Sequence, residues 1–500
     1  MKKLLTLFAG ILFSVGVYSY SPAPFNLHDY TVGHKRASYP AKYDSRELNI
    51  ILPSRDQGRS GCCWAFTATD VAQALFYKNG YETGYLAPQI YPNCAIGYLN
   101  LDLETGGNEY IAISTNALLK APVFASKVGE FSDKDYECPV YSKEDIAGYI
   151  LSTSDLPTND KVAIKEAIMQ YGSVMSSLFY EDEFYNSSSK TYCYTHNPTN
   201  GDPYATNHAV NIIGWDDTKG CWLVKNSWGP NWGNNGTFWV SYNDYYISKG
   251  CVSLNSFVNT DDISKVYTYN TAGITGTSMG LNGGENRAHT ILIAHLIEKG
   301  ETIEYVATYI QNPNTKVQYI VQTSDDNNEK LYVSEEETVK YPGLHLHKLK
   351  DPVMSNGDTL LFEITYTSDR EFPVATERAK PGYCTIEQNE NQWFYINRGW
   401  KPATELGYNF ILYVYTKEQE NTTDIEETTV NVSKFFTQSG LNPEIWENAI
   451  QVSVFDISGR NYCTIKEGGN IPTLNKGCYV LVIDKKDGSF AVEKFNIFNN

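Results

Sequence analysis

A cysteine at the start of a helical segment is the residue of this chain best suited to nucleophilic chemistry. Cys63 stands in the window QGRSGCCWAF at residues 57–66, and residues 63–77 repeat apolar side chains at helical spacing until Gly80. Backbone N–H groups and the positive end of the helix dipole lower the pKa of a thiol at such a position. We therefore predict that Cys63 is a thiolate nucleophile.

A thiol nucleophile also needs a base, and two later motifs supply the base and a group to hold it. His208, in the motif NHAV, opens an apolar strand pattern far downstream, and a histidine that becomes an imidazolium is the usual partner. Asn226, in the motif KNSWG, can accept the imidazole N–H and orient the ring. Each residue alone is more often structural, as a packed thiol, a buried ring or a turn amide. Their occurrence together favours a catalytic set.

The order and separation of these motifs resemble the papain and cathepsin family of cysteine proteases. The resemblance implies that Cys63 is the nucleophile, because Trp64 follows it directly. It also implies that His208 is the general base and acid and that Asn226 orients it. Gln57 precedes Cys63 as a glutamine precedes the family nucleophile, so it would donate to the oxyanion together with the backbone N–H of the cysteine.

Three further positions resemble the same family. Trp228 resembles the indole that shields the hydrogen bond between the asparagine and the histidine. Gly106 and Gly107 resemble the glycines along which a substrate backbone lies, and glycine suits a position where another chain must approach closely. An ordinary turn is the alternative for this glycine pair.

The chain departs from the family pattern beside the nucleophile. Ser60 stands where the family commonly has a cysteine, and Glu104 stands where that cysteine's partner would be, so both halves of one family bridge are missing. Cys62 replaces a serine next to the nucleophile. We expect it to pack as a small apolar residue, and a competing, oxidisable thiol is the alternative.

The chain has ten cysteines, too few for a disulfide scaffold. A few bridges and one reactive thiol fit an exported protein. Cys94 with Cys138, and Cys193 with Cys251, are positioned like family bridges. The sequence leaves the connectivity open.

Across residues 39–258 helical patterns come first and strand patterns dominate afterwards, which predicts an α+β catalytic domain, preceded by a short lead at residues 20–38. The resemblance implies a helical half and a β-barrel-like half. Besides the helix that begins at Cys63, the patterns predict a helix at 161–171 and strands at 209–215, 221–225 and 237–242.

Two all-β sandwich domains are predicted to follow. Residues 259–416 carry short strands, including one at 409–415, and resemble a lectin-like sandwich found in a bacterial branch of the protease family. Trp393 and Trp400 there could stack on sugars or pack in the core. His345 and His347 alternate on one strand, but further metal ligands are not near them in the sequence.

The last part of the chain begins with an acidic linker at residues 417–433. Residues 434–500 form a smaller β pattern with the motifs VFDISGR, GCYV and KFNI, which resembles the sorting domain of type IX secretion substrates. The alternative is another small sandwich module without a sorting role.

The N-terminus and the overall charge bear on location and partners. Residues 1–19 begin with two lysines and an apolar run too short to span a bilayer, which predicts a signal peptide. No later apolar run is long enough to predict a transmembrane segment. The net charge of -18 argues against binding to nucleic acid. The long inhibitory propeptide of many family members is absent from the sequence before residue 39.

These observations predict a secreted or outer-membrane surface-attached cysteine peptidase that hydrolyses proteins or peptides. We expect an endopeptidase that works through an acyl-thioester and needs no metal or organic cofactor. The competing hypothesis is a catalytically inert adhesin that binds a glycan or a cell surface through the lectin-like sandwich.

Overall fold

A computed structural model describes residues 20–418 except 22, 24, 35–37, 95–105, 135–136, 197–205, 280–286, 326–327 and 397, and parts of 436–497. The predicted signal peptide, Glu104 and most of the acidic linker lie outside the described residues. The chain divides into two compact units, Met1–Glu418 and Gln419–Asn500.

The first unit carries its long helices before residue 172. The helices are α1 Cys63–Lys78, α2 Ile90–Cys94, α3 Glu109–Ala117, α4 Ala125–Val128, α5 Lys161–Tyr171 and α6 Ala403–Leu406, with 3-10 turns at Ser45–Leu48, Lys143–Asp145, Asp182–Phe184 and Thr260–Asp262. α1 is buried from Cys63 to Phe76, so it is the central helix of the domain. The carboxylate of Asp160 caps α5, which ends at Gly172 in a positive-φ conformation.

Nine strands among the described residues form the sheet of the catalytic region. They are β1 Lys42–Asp44, β2 Tyr149–Asp155, β3 Val174–Leu178, β4 Tyr185–Asn186, β5 Thr191–Tyr192, β6 His208–Asp216, β7 Cys221–Lys225, β8 Thr237–Ser241 and β9 Val252–Val258. Their order is β2-β9-β3-β6-β7-β8-β5-β4, with β1 paired to β6. All pairings are antiparallel except that of β5 with β8.

Two apolar cores lie on the two sides of the catalytic region. The first surrounds α1 and includes residues of α3, and the second lies between α5 and strands β6, β7 and β8. Cys63, the first residue of α1, belongs to the first core, and β6, which begins at His208, contributes to the second. The predicted α+β fold of this region is confirmed.

Two further antiparallel sheets pack against each other after residue 264. One contains β10 Lys265–Tyr267, β11 Gly276–Met279, β13 Glu301–Ile310, β17 Gly343–Met354, β19 Val374–Glu377, β22 Asn409–Phe410 and β23 Tyr413–Glu418. The other contains β12 Arg287–Leu296, β14 Thr315–Thr323, β15 Lys330–Val333, β16 Glu337–Val339, β18 Thr359–Ser368, β20 Gln392–Ile396 and β21 Gly399–Pro402. Alternate side chains of β12, β14 and β18 meet those of β13 in one apolar core.

One predicted strand of the sandwich is divided in the structure. The sequence predicts a single strand at 409–415, whereas β22 pairs with β19 and β23 pairs with β10 and β13. Ile411 and Leu412 between them are buried, so the apolar run continues although the pairing partner changes.

The sandwich shares a buried contact with the catalytic region. Asp155, at the end of β2, accepts hydrogen bonds from the hydroxyls of Tyr110 in α3 at 2.9 Å and Tyr309 in β13 at 2.5 Å. Its backbone N–H donates to the carbonyl of Pro342 at 2.8 Å. Burial raises the pKa of Asp155, and the two tyrosine hydrogen bonds oppose that rise. The apolar core around α1 also includes tyrosines of β13 and β23, so the two regions fold against each other.

The second unit contains a four-stranded antiparallel sheet among its described residues. Its order is β27-β26-β28-β29, and a short hairpin precedes it. The strands of this unit are β24 Phe436–Thr437, β25 Gly440–Leu441, β26 Ala449–Asp456, β27 Asn461–Lys466, β28 Gly477–Lys485 and β29 Phe490–Ile497. The motif VFDISGR begins in β26, GCYV lies in β28 and KFNI ends β29.

The Asp155 contact predicts a stability difference between two tyrosine variants. Tyr309→Phe should lower the free energy of unfolding by about 1–3 kcal/mol, because it leaves a buried carboxylate oxygen without its donor. Tyr319→Phe is the matched control, since the buried hydroxyl of Tyr319 has no hydrogen-bond partner among the described residues. Denaturant unfolding of the full chain measures the free energy of unfolding of each variant. Equal stability of the two variants would contradict the prediction.

Candidate active site

Cys63 is the first residue of α1 and is completely buried, with 0% exposure. Its Sγ accepts the backbone N–H of Ala209 at 3.3 Å. Ala209 follows His208 at the start of β6, so the thiol lies against the strand that carries the histidine. The helix N-terminus therefore faces the position where a thiolate would form.

The imidazole of His208 is held by Asn226. The His208 Nε2 and Asn226 Oδ1 atoms are 2.7 Å apart, and Oδ1 also accepts the backbone N–H of Ser227 at 2.8 Å. The Asn226 main chain is fixed on both sides, because its N–H donates to Gly236 at 2.9 Å and its carbonyl accepts from the hydroxyl of Ser54. With Nε2 donating to Asn226, Nδ1 is left as the basic nitrogen.

Aromatic side chains cover the histidine. The ring of Trp228 stacks on that of His208 with centroids 4.5 Å apart and planes inclined by 21°, and Tyr180 packs edge-on against Trp228. Nδ1 of His208 is buried and has no hydrogen-bond partner among the described residues. Burial lowers the pKa of His208 to about 4, and the hydrogen bond to Asn226 only partly opposes this effect.

Gln57 lies in a tight turn that precedes α1. Its Oε1 accepts from the hydroxyl of Ser227 at 2.6 Å and its Nε2 donates to the carbonyl of Ser60 at 2.8 Å. The hydroxyl of Ser60 donates to the carbonyl of Gln57 at 2.7 Å. The serine that replaces the family cysteine therefore closes the turn by hydrogen bonds, and one amide hydrogen of Gln57 remains for another acceptor.

The glycine pair lies directly beside the indole of Trp64. A Cβ on Gly107 would stand 2.5 Å from that ring, and Gly106 has a φ of +75°. Asn108 follows as the N-cap of α3, with its Oδ1 accepting the backbone N–H of Tyr110 at 3.1 Å. Glycine is therefore required here by the packing of Trp64 as well as by the backbone conformation.

The N-terminal lead occupies the cleft in this structure. Tyr20 forms a parallel bridge with Gly107, and the N–H of Ser21 donates to the Gly107 carbonyl at 3.1 Å. The Tyr20 side chain is 6% exposed, and its hydroxyl donates to Oε2 of Glu109 at 2.6 Å. His208 is only 2% exposed. The sequence did not predict that this segment would pair with Gly107.

Further along, the same segment is anchored to the catalytic region. Nδ1 of His28 bonds to the carbonyl of Leu156 at 2.8 Å, and Nε2 of His34 lies 2.6 Å from a carboxylate oxygen of Asp160. The hydroxyl of Tyr30 donates to the carbonyl of Asp155. The described residues of segment 20–34 are thus held at several points outside the cleft.

The cysteines divide differently from the family-based expectation. Cys94 and Cys138 form a disulfide, whereas Cys193 and Cys251 are unpaired. The expected pairing of Cys193 with Cys251 is wrong in this structure, because the Cys251 thiol is buried and donates to Ile247 at 3.4 Å. Cys62 is buried in the core around α1 and is not part of a disulfide.

The tryptophans and histidines of the sandwich that the sequence suggested as binding residues lie in different environments. Trp400 is 40% exposed and lies 5.3 Å from the ring of Tyr395, whereas Trp393 is partly buried. His345 and His347 both contact the carboxylate of Glu337, at 2.9 Å and 2.5 Å. The two hydrogen bonds lower the pKa of Glu337 to about 2. No cluster of three metal-ligating side chains is found among the residues that the structure describes.

Comparison with known families agrees with this geometry. Residues 39–256 match the papain family of cysteine proteases, and residues 266–416 match the lectin-like domain family. Pro-cathepsin H of Bos taurus is 27% identical over 216 residues, which cover 40% of this chain and 60% of that protein. Cathepsin J of Mus musculus is 28% identical over 251 residues, which cover 48% of this chain and 71% of that protein. The chain thus spans about 60% of the length of the pro-cathepsin H that it matches.

Solved structures share the combination of the two domains. The clostridial cysteine protease Cwp84 after propeptide cleavage superimposes with a TM-score of 0.65 and 22% identity, over 75% of this chain and 99% of that one. The protease and lectin-like domains of Cwp84, a surface layer associated protein of Clostridium difficile, superimpose with a TM-score of 0.64 and 22% identity. This match covers 76% of this chain and 89% of that one. The chain therefore carries a papain-family cysteine protease domain. A lectin-like domain follows it, in the two-domain fold of Cwp84.

Several residues that shape the site were missed in the sequence. Ser54 and Ser227 support Asn226 and Gln57 through long-range hydrogen bonds, and a single serine in a loop carries no signal of such a role. Tyr20 and Glu109 meet inside the cleft. Glu109 could have been noticed, because it follows the glycine pair closely and begins a helix.

The covered histidine predicts an unusual titration. In a Cys63→Ala variant, NMR of labelled histidine should show His208 titrating with a midpoint of about 4. Trp228→Ala should raise the midpoint toward the ordinary value of about 6.5, because water can then solvate the imidazolium. Trp239→Ala is the control, because the ring of Trp239 lies against Nζ of Lys219 rather than against His208. An unchanged midpoint in the Trp228 variant would contradict the argument.

Proposed function

We propose that the chain is an exported cysteine peptidase that hydrolyses peptide bonds through an acyl-thioester on Cys63. The observation that carries the proposal is the approach of three groups. The Cys63 sulfur lies at a helix N-terminus and against the backbone of β6, whose first residue, His208, is hydrogen-bonded to Asn226. A cysteine nucleophile needs a base that is oriented by a third group, and the hydrogen bond to Asn226 orients His208 in this way.

In the proposed reaction, Nδ1 of His208 takes the proton of the Cys63 thiol as the sulfur attacks the scissile carbonyl. The oxyanion accepts hydrogen bonds from the Cys63 backbone N–H and from the free amide hydrogen of Gln57. The imidazolium returns its proton to the leaving amine, and the thioester remains. His208 then removes a proton from water, whose oxygen attacks the thioester and releases the acid and the thiol.

The export route of the protein is also proposed. We propose that residues 1–19 are a signal peptide and that residues 434–500 direct type IX secretion, leaving the enzyme released or attached to the outer-membrane surface. The described residues contain no helix long and apolar enough to cross a membrane. The surface-layer association of Cwp84 is consistent with this location. Endopeptidase action on proteins is proposed because no described segment other than 20–34 is bonded along Gly107.

The enzyme is proposed to be latent while segment 20–34 lies in the cleft. A substrate backbone cannot pair with Gly107 while Tyr20 and Ser21 occupy it. This segment precedes the part of the chain that matches the protease family. We therefore propose that this short segment restrains the enzyme.

An inert adhesin is the second candidate. Its support is the exposed pair of Tyr395 and Trp400 on the β20–β21 hairpin, because exposed aromatic faces can stack on sugar rings. A lectin-like domain also fits a carbohydrate partner. The two candidates differ in one respect that can be measured, which is whether Cys63 reacts as a nucleophile.

Labelling with an epoxide-type thiol inhibitor tests the peptidase proposal. In the full chain with Tyr20→Ala, the inhibitor should modify Cys63, and a second substitution, Cys63→Ala, should abolish both labelling and peptide cleavage. Cys62→Ala in the same Tyr20→Ala chain is the matched control and should keep most of the activity. Peptide mapping by mass spectrometry identifies the modified residue. Absence of labelling and cleavage would favour the adhesin.

Latency predicts a faster reaction when the segment is loosened. Tyr20→Ala in the full chain should increase the rate of Cys63 labelling at least roughly tenfold, because it removes a buried ring and a hydrogen bond to a carboxylate. Tyr39→Ala is the control, since Tyr39 makes a similar hydrogen bond to Glu166 at 2.7 Å outside the cleft. Equal rates in the two variants would contradict an inhibitory role of the segment.

A further inference from the structure

The pocket that holds Tyr20 is built around a buried carboxylate. Glu109 begins α3 just after the glycine pair and is 8% exposed. Its Oε2 accepts the Tyr20 hydroxyl at 2.6 Å. A remaining cavity of about 40 Å³ beside the tyrosine is lined by Tyr110, Ser177 and Thr206 together with residues of the N-terminal segment. The pocket therefore fits a whole phenol ring and provides an acceptor at its end.

The carboxylate depends on the occupant of this pocket. Among the described hydrogen bonds between side chains, Glu109 has only the one from Tyr20. Burial raises the pKa of Glu109, and the hydrogen bond from Tyr20 is the largest effect that opposes the rise. When segment 20–34 leaves the cleft, an apolar side chain entering the pocket would not replace the side-chain donor that Tyr20 supplies to this buried acceptor. Such a loss is costly.

We propose that Glu109 is a specificity-determining residue that selects substrates with a tyrosine side chain in this pocket. The inference rests on the proposed peptidase function and adds to it the class of substrate. The backbone places a side chain in this pocket, because Gly107 lies beside the pocket and pairs with Tyr20 itself. Tyr20 therefore fills the space beside Gly107 that a substrate side chain would enter.

Tyrosine suits this pocket better than a cationic side chain. Lys249 already lines the cavity, and the aromatic ring of Tyr110 forms part of its wall. A lysine or arginine would have to lose its hydration to pair with a single buried carboxylate, which offsets much of the gain from the ion pair. A phenol buries an apolar ring and donates one hydrogen bond, as Tyr20 does.

The experiment compares peptides that differ by one hydroxyl group. A library carrying tyrosine or phenylalanine at each position around the cleaved bond is tested with the Tyr20→Ala full chain, whose pocket is vacated. At one position kcat/KM should be roughly tenfold to hundredfold higher for tyrosine. Glu109→Leu should reduce this ratio to about one, mainly by slowing cleavage of the tyrosine peptide.

The control is a second glutamate that accepts from a tyrosine away from the cleft. Glu166→Leu removes the partner of Tyr39 and should leave the selectivity unchanged. Cleavage without any preference for tyrosine over phenylalanine, or a preference for lysine or arginine over tyrosine, would overturn the inference while leaving the peptidase function intact. Absence of both cleavage and Cys63 labelling would instead refute the proposed function.

A second measurement does not depend on catalysis or on the Glu109 variant reaching full activity. Hydrogen exchange of segment 20–34 in the full chain should accelerate roughly tenfold in Tyr20→Phe, which keeps the ring and removes the hydroxyl. If Tyr20→Phe leaves the exchange unchanged, the pocket does not discriminate the hydroxyl and the inference is wrong.

Discussion

A buried ion pair joins the helix that begins at Cys63 to the strand that ends just before Asn226. Asp70 lies two turns into α1, and its Oδ2 is 2.7 Å from Nζ of Lys225, the last residue of β7. Both side chains are buried, and burial lowers the pKa of Lys225 while Asp70 opposes that shift. Arg55 also pairs with Asp70, at 3.7 Å, so Asp70 holds two cations. Loss of Asp70 would leave Lys225 as an uncompensated buried charge, a change that costs about 3–5 kcal/mol in proteins. The helix that begins at Cys63 and the strand that precedes Asn226 are therefore held in one relative position.

The other contacts of the site extend from this fixed point. Asn226 follows Lys225 directly, so its amide starts from an anchored backbone, and Ser54 and Gly236 fix its carbonyl and N–H. The turn before Cys63 is tied to the same strand end, because the backbone N–H of Gln57 donates to Ser227 at 2.8 Å. Preorganised donors and a preoriented base lower the cost of reorganisation during reaction.

The sequence predicts the local elements of the site better than the contacts that complete it. The helix at Cys63 and the strands after His208 and before Asn226 follow from apolar periodicity and from turn residues, and α5 ends at Gly172 as predicted. The predictions of a Cys193–Cys251 disulfide and of an unbroken strand at 409–415 are wrong. Both depend on which distant segment of the chain packs beside these residues. The position of Tyr20 in the cleft was not predicted for the same reason. A short segment with little periodicity does not indicate where it packs.

The contact between Tyr20 and Glu109 connects the proposed latency with the proposed choice of substrate. A pocket that binds tyrosine well also retains Tyr20 well, and a tethered side chain competes at an effective concentration on the order of millimolar. The anchors at His28, Tyr30 and His34 keep the tether short. A free substrate can therefore displace Tyr20 only weakly, however well it fits. Cutting the chain between the pocket and these anchors would remove the tether, and the same hydrogen bond would then favour an incoming tyrosine instead of the segment.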